Sequence, residues 1–239
     1  MEKVKVCVVT GAAGQIGQKV LLSLVKSGKK VLALGEIEDV FTPSVLNTHH
    51  IKINTALPVT NKSFAKHDVQ FCFGDLSDIS FLASIFSSAD NNNIEIEYVI
   101  HLSANKEIQK TSPKAYHPAF SDTVNLIEVA RAYWQANSDV FKGFFFASDS
   151  SNKGNESIVK MLKNVADKYG FPVEIYEKPD VETLGHNYQG KTPLSSLYRL
   201  VTPLKIKFPT TKTSSQTSVN SSKKYVNSLI ASISHMLED

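Results

Sequence analysis

The chain has 239 residues, 42% apolar and 21% charged, enough to bury a full core and unlike a disordered chain. A net charge of only +3, with the lysines scattered, argues against a nucleic-acid-binding stripe. No apolar run has the length of a membrane span. The run over residues 4–9 breaks at Thr10-Gly11, which makes it a first strand rather than a signal sequence, so a cytoplasmic location is expected.

In chain order, strands are predicted over 4–9, 30–34, 70–73, 98–102, 144–147 and 172–176, with helices over 15–27, 79–86, 119–134 and 157–169 between them. The first helix carries Ile16, Val20, Leu21, Leu24 and Val25 at helical spacing, and the fourth stops at Gly170. Phe144-Phe145-Phe146-Ala147 is apolar without alternation, as a strand buried on both faces should be. The alternation predicts an α/β fold, a Rossmann-like doubly wound parallel sheet of six strands with helices on both faces. Cys7 and Cys72 fall inside apolar runs and read as small core side chains in a reducing compartment, not as a disulfide or metal site. Residues 39–68 are long and polar, an excursion near the sheet edge. Residues 186–222 are rich in Ser, Thr, Lys and Pro, with low complexity over 210–222, which predicts loop and partial disorder. An amphipathic stretch (Val226, Leu229, Ile230, Ile233, Leu237) predicts a last helix packed on the domain.

The sharpest motif is Thr10-Gly11-Ala12-Ala13-Gly14-Gln15-Ile16-Gly17, set between a predicted strand and a predicted helix. A tight turn calls for Gly11, close approach of backbone to a pyrophosphate for Gly14, and close helix-to-strand packing for Gly17. The amides at the helix start, Gln15 and Ile16, then face the anion. This implies an NAD(P)-binding domain over 1–185, a loop-rich reduced lobe over 186–222 and a C-terminal helix over 223–239. After the second strand stands Gly35-Glu36. A carboxylate there accepts hydrogen bonds from ribose hydroxyls and repels a 2′-phosphate, which favours NAD over NADP.

With Gly74-Asp75-Leu76-Ser77-Asp78, His101-Leu102-Ser103-Ala104 and Phe145-Phe146-Ala147-Ser148-Asp149, the glycine turn resembles the extended short-chain dehydrogenase/reductase superfamily. Within it the pattern is most similar to the NAD-dependent epimerase/dehydratase group, uronate dehydrogenase-like members in particular. The glycine string also occurs in malate dehydrogenases, but the later segments do not fit those enzymes. The resemblance covers roughly residues 4–185. It implies that Asp75, with Leu76 beside it, contacts the adenine, and that Leu102, Ser103 and Ala104 lie along the cofactor. It also implies a sugar or sugar nucleotide as substrate, and a homodimer through helices 119–134 and 157–169, against which the shortness of the second helix counts.

The chain departs from the family where catalysis is concerned. The family's Tyr-x-x-x-Lys pair supplies a tyrosinate acid/base and a lysine that lowers its pKa. None of the eight tyrosines here has lysine four residues on. Counting back from Gly170 puts Ser151 and Asn155 at the two positions, and Ala119 falls where a propping Asn is usual. What remains near the reaction centre is Ser148 and Asp149, with Lys160 and Lys163 on the next helix. Ser148, Asp149 and Lys163 are the candidates for any surviving chemistry; the alternative is a polar strand end and a solvated helix face. The seven histidines show no metal-ligand spacing, so no metal is expected. After the last strand, Glu177-Lys178-Pro179-Asp180-Val181 resembles the family's turn into substrate loops, and the remaining C-terminal stretch is short for a deep sugar-nucleotide pocket. Two readings stay open: a cofactor-binding or interaction protein without standard catalysis, and an active NAD-dependent oxidoreductase, epimerase or dehydratase with an atypical acid/base.

Overall fold

A computed structural model describes residues 3–35, 53–54, 59–102, 118–149, 153–178 and 227–233. Its elements run β1 (Val4–Thr10), α1 (Gln15–Lys26), β2 (Lys30–Gly35), β3 (Ile53–Asn54), α2 (Asn61–Lys66), β4 (Val69–Phe73), α3 (Ile79–Asn91), β5 (Ile94–His101), α4 (Pro118–Ala136), β6 (Gly143–Asp149), α5 (Lys153–Tyr169) and β7 (Val173–Lys178). The strands form one seven-stranded sheet in the order β3-β4-β2-β1-β5-β6-β7. The pairs β1–β2, β1–β5, β2–β4, β3–β4 and β5–β6 are parallel. From β1 the chain builds outward through β2 and β4 on one side and through β5, β6 and β7 on the other. The point of reversal therefore lies between β1 and β5, the crevice where doubly wound sheets bind ligands.

The six expected strands are all present, and the sheet has one more. The two-residue β3 at the edge arises inside the polar excursion, and α2 follows it, capped where Thr60 Oγ1 accepts from the Ser63 amide at 3.3 Å. Neither was expected, because two residues of strand and six of helix leave no readable period. Helix α3 runs past its expected end at 86 to Asn91, because Ala89 continues the buried stripe of Leu82, Ile85 and Phe86 through a serine-rich stretch. Helix α5 begins at Lys153 rather than 157. Asn155 is buried on the same helix as Ile158, Val159 and Leu162, and Glu156 in the first turn favours the helix dipole.

The chain divides into two compact units, Met1–Glu177 and Lys178–Asp239. The first holds the core. Phe144, Phe145 and Phe146 of β6 are all fully buried, alternating between the two faces of the sheet. Phe145 stacks on Tyr176 of β7, while Phe144 packs against Phe171. Trp134 from α4 meets Phe171 edge-on. Cys7 and Cys72 are buried free thiols, with burial the chief cause that pushes each up to about 12. Of the second unit, the described helix over 227–233 has Leu229, Ile230 and Ile233 buried; residues 186–222 lie outside the described residues. No helix among the described residues is long and apolar enough to cross a membrane.

Strand β5 starts at Ile94, four residues before its expected start, because its charges are neutralised across the sheet. Lys3 pairs with Glu95 at 2.9 Å, and Glu97 is held by Lys5 at 3.3 Å and Lys29 at 3.2 Å. The register moves from Val6↔Ile96 to Cys7↔Tyr98, so Glu97 is the extra residue of a bulge. There the Ile96 amide donates to the Tyr133 hydroxyl at 3.0 Å, tying α4 to the sheet. Burial alone would raise the Glu97 pKa, but the Lys29 and Lys5 ammonium groups overcome it and hold the carboxyl below its usual 4.5. A depressed folded pKa means the stabilisation is present above pH 4.5 and is lost as pH falls through the lower folded value. Lys29→Met is expected to cost about 1–3 kcal/mol at neutral pH. Urea unfolding of wild type and variant should show that gap closing once Glu97 is protonated.

Candidate functional site

The site is built at the C-terminal ends of β1, β2, β4 and β5. At the end of β1, Gly11 has φ 66°, a left-handed conformation that only glycine adopts without strain. The Gly14 amide donates back to the Gly11 carbonyl at 3.1 Å, closing a turn over Gly11–Gly14. Gly17 seats the helix on that turn. A Cβ there would overlap the Gly11 carbonyl oxygen and come within 2.7 Å of the Ala12 Cα. Gln18, which the sequence motif does not include, braces the turn from inside: its Nε2 donates to the Ala13 carbonyl at 2.7 Å.

The N-terminus of α1 differs from those of α2 and α3. Thr60 caps α2, and Asp78 caps α3 by accepting from the Ser80 amide at 2.8 Å. Gly14, the N-cap of α1, has no side chain to offer, and no acidic residue lies in the first turn. The first-turn amides of Gln15, Ile16 and Gly17 have no intrahelical carbonyl within reach. They form a patch of partial positive charge at the mouth of the switch-point crevice.

The adjoining rim comes from β2 and β4. The Gly74 amide donates to the Gly35 carbonyl at 2.9 Å, joining the two strand ends. Asp75 is exposed, and its Oδ1 accepts from the Ser77 amide at 2.8 Å and the Ser77 hydroxyl at 2.7 Å, which fixes the carboxylate on the rim. Leu76 is 2% exposed and belongs to the core, so only its backbone faces the rim. Asn125 of α4 donates to the Ser77 carbonyl at 2.6 Å and locks this turn to the helix, a contact with no sequence signature. Glu36, Ser103 and Ala104 lie outside the described residues.

Between β1 and β5 sits a buried polar trio. Thr10 Oγ1 lies 2.6 Å from His101 Nδ1, and His101 Nε2 lies 2.8 Å from Thr123 Oγ1 of α4. The Leu102 amide donates to Thr10 Oγ1 at 3.3 Å. The imidazole stacks on the Phe146 ring at 5.7 Å between centroids. Leu102 follows the strand rather than ending it, and is buried.

Ser148 and Asp149 are the last two residues of β6, and α5 begins at Lys153. Lys160 and Lys163 are exposed on α5, and Asn155 is 2% exposed near its start. Among the described residues, no three His, Cys, Asp or Glu side chains cluster as metal ligands would.

A parallel sheet that reverses between β1 and β5, with a glycine turn and an uncapped helix start at the reversal, is a Rossmann-type nucleotide-binding arrangement, and comparisons with known proteins assign the chain to the extended short-chain dehydrogenase/reductases. More specifically, the chain belongs to the family described as GDP-mannose 4,6 dehydratase, which matches residues 8–160. Among curated relatives, UDP-glucuronate 4-epimerase 1 of Arabidopsis thaliana is 27% identical over 186 residues, 75% of this chain and 38% of the relative. The chain thus spans under two fifths of that relative's length. Among solved structures, a UDP-glucose 4-epimerase matches with TM-score 0.51 and 19% identity, covering 72% of this chain and 50% of the other. A metagenomic short-chain oxidoreductase in complex with NADP matches with TM-score 0.50 and 14% identity, covering 77% and 85%. Likenesses at these identities bear on the fold alone.

Burial drives the His101 pKa from 6.5 down to about 3, so the folded ring is neutral. The folded value lies below the unfolded one. The stabilisation is therefore complete above pH 6.5 and is lost as pH falls from there toward 3. Relative to a His101→Asn variant, the wild type is expected to lose about 1.4 kcal/mol per pH unit through this window. Urea unfolding at several pH values between neutrality and about pH 5 reads that slope directly.

Proposed function

We propose that this protein binds NAD through the turn over Gly11–Gly17 and has lost the standard chemistry of its family, acting as a cofactor-binding or interaction protein. The observation that carries the binding half is the start of α1. Three amides converge there behind a left-handed glycine, with neither a cap nor an acid to neutralise them. A pyrophosphate matches that donor set in sign and geometry. The exposed Asp75 carboxylate stands on the adenosine side of the rim, and the position of Glu36 just after β2 suits the ribose hydroxyls. Bound NAD would supply a hydride acceptor; the turn and rim residues would hold it.

The catalytic half rests on what stands beside β6. No tyrosine in the chain is followed by lysine at the required spacing. Asn155, at the position counted for the lysine, has an amide that carries no charge to lower a tyrosine pKa. Lys163, the cation offered in its place, projects from an exposed face of α5. Should turnover exist, Ser148 and Asp149 at the end of β6 are the groups to carry it.

Isothermal titration is expected to show binding of NAD+ and NADH and weaker binding of NADP+; heat from none of the three would remove the reading. A Gly14→Asp variant separates fold from binding. Gly14 has φ −67° and ψ 165°, which any residue adopts, and a Cβ there meets only the Gly11 carbonyl, at 3.4 Å. The new carboxylate caps α1, so the melting temperature should hold or rise slightly. It also occupies the anion's place, so NAD affinity should fall at least about tenfold. Incubation with UDP-glucuronate and NAD+, resolved by chromatography, is expected to return the sugar nucleotide unchanged; formation of its 4-epimer would establish an active enzyme instead.

A further inference from the structure

Thr10, His101 and Thr123 are each fully buried, and they come from three different elements. Burying three polar side chains is costly even when their hydrogen bonds are made, and apolar residues of similar volume would pack the same space without that penalty. Their position suggests what the trio does. Thr10 and His101 are register partners and the last residues of β1 and β5, the two strands that flank the switch point. Thr10 is followed at once by the glycine turn. His101 is followed at once by Leu102, Ser103 and Ala104. The Thr10 hydroxyl also accepts the Leu102 amide, so the first residue beyond β5 hangs on the last residue of β1. On the far side of the ring, Thr123 ties the pair to α4, whose Asn125 holds the Asp75 turn through Ser77.

We infer that His101 is a positioning residue for the dinucleotide: bridged between Thr10 and Thr123, it fixes the spacing between the glycine turn and the chain at Leu102. This role rests on the dinucleotide reading of the site. A ligand held by the glycine turn alone needs only the α1 amides. A ligand that spans from that turn to the backbone at Leu102 needs both to be held at one separation, and gains affinity from their being fixed beforehand.

ADP serves as the short probe and NAD+ as the spanning one, each titrated calorimetrically, with melting of the ligand-free protein as the control. His101→Phe keeps the stack on Phe146 and removes both hydrogen bonds. It is expected to weaken NAD+ on the order of tenfold and leave ADP within about twofold. His101→Asn, whose amide can reach Thr10 in place of Nδ1, should recover most of the NAD+ loss. Should His101→Phe not fold, Thr123→Val and Thr123→Ser provide the same comparison, with loss of NAD+ affinity in the first and recovery in the second. Equal NAD+ affinity in wild type and in the variants without these hydrogen bonds would overturn the inference while leaving the site reading intact. So would parallel loss of ADP and NAD+ affinity tracking the melting temperature, which marks a purely structural role. Wild-type protein that binds neither probe would remove the site reading and the inference together.

Discussion

Gly17 against Gly11 is the contact on which the geometry at the start of α1 depends. An α-helix leaves its first amides without partners, and most helices satisfy them locally, as α2 and α3 do with Thr60 and Asp78. Helix α1 leaves them uncapped at the crevice mouth, which is useful only if the helix end stays close to the end of β1. The absence of a Cβ at Gly17 permits that approach, since any side chain would meet the Gly11 carbonyl and the Ala12 backbone. The left-handed Gly11 then bends the chain back so that the amides face the crevice rather than the core. Gln18 reinforces this from within, because its side-chain amide fills the Ala13 carbonyl that the turn leaves exposed to the interior.

The two ends of the sheet handle buried polarity in opposite ways. In the N-terminal half of the central strands, polarity is ionic: Lys3 faces Glu95, and Lys5 and Lys29 clasp Glu97 at a bulge. At the C-terminal ends of β1 and β5 the buried trio is neutral, two threonines and an uncharged imidazole. A fixed ion beneath the glycine turn would act through a low-dielectric core on any charge held above it. A neutral, hydrogen-bonded trio gives rigidity without itself adding to the field.

How much of this was legible in the sequence depends on the range of the interactions involved. Strands β1, β2, β4 and β6 stand out as apolar runs, and α1 and α4 as periodic stripes, because burial imposes those patterns locally. The glycine turn is legible for the same reason: its constraint acts within seven residues. The first half of β5 was not. Ile94-Glu95-Ile96-Glu97 has the alternation of a strand, but its acids become tolerable only beside Lys3 just before β1, Lys5 of β1 and Lys29 of the turn before β2. The early start of α5 was hidden likewise, since Gly154 and Asn155 are poor helix formers and Asn155 is buried all the same. His101 was visible as part of a motif but silent as to role. Its partners lie 91 and 22 residues away, and no periodicity carries information over that distance.

The fold also explains how binding and chemistry can be separated in one chain. The groups argued to hold a dinucleotide come from the ends of β1, β2, β4 and β5 and from the start of α1, and these ends are tied to one another. Gly74 bonds to Gly35, Asn125 to the Ser77 carbonyl, and the Leu102 amide to Thr10. The positions counted for the family's acid/base pair lie elsewhere, on the connection from β6 into α5, and these three ties do not include them. Asn155, counted at one of those positions, is a buried amide on a helix that Ile158, Val159 and Leu162 hold in the core. In such a scaffold cofactor binding is maintained by the packing of the sheet itself, whereas catalysis depends on a few side chains that the packing does not require.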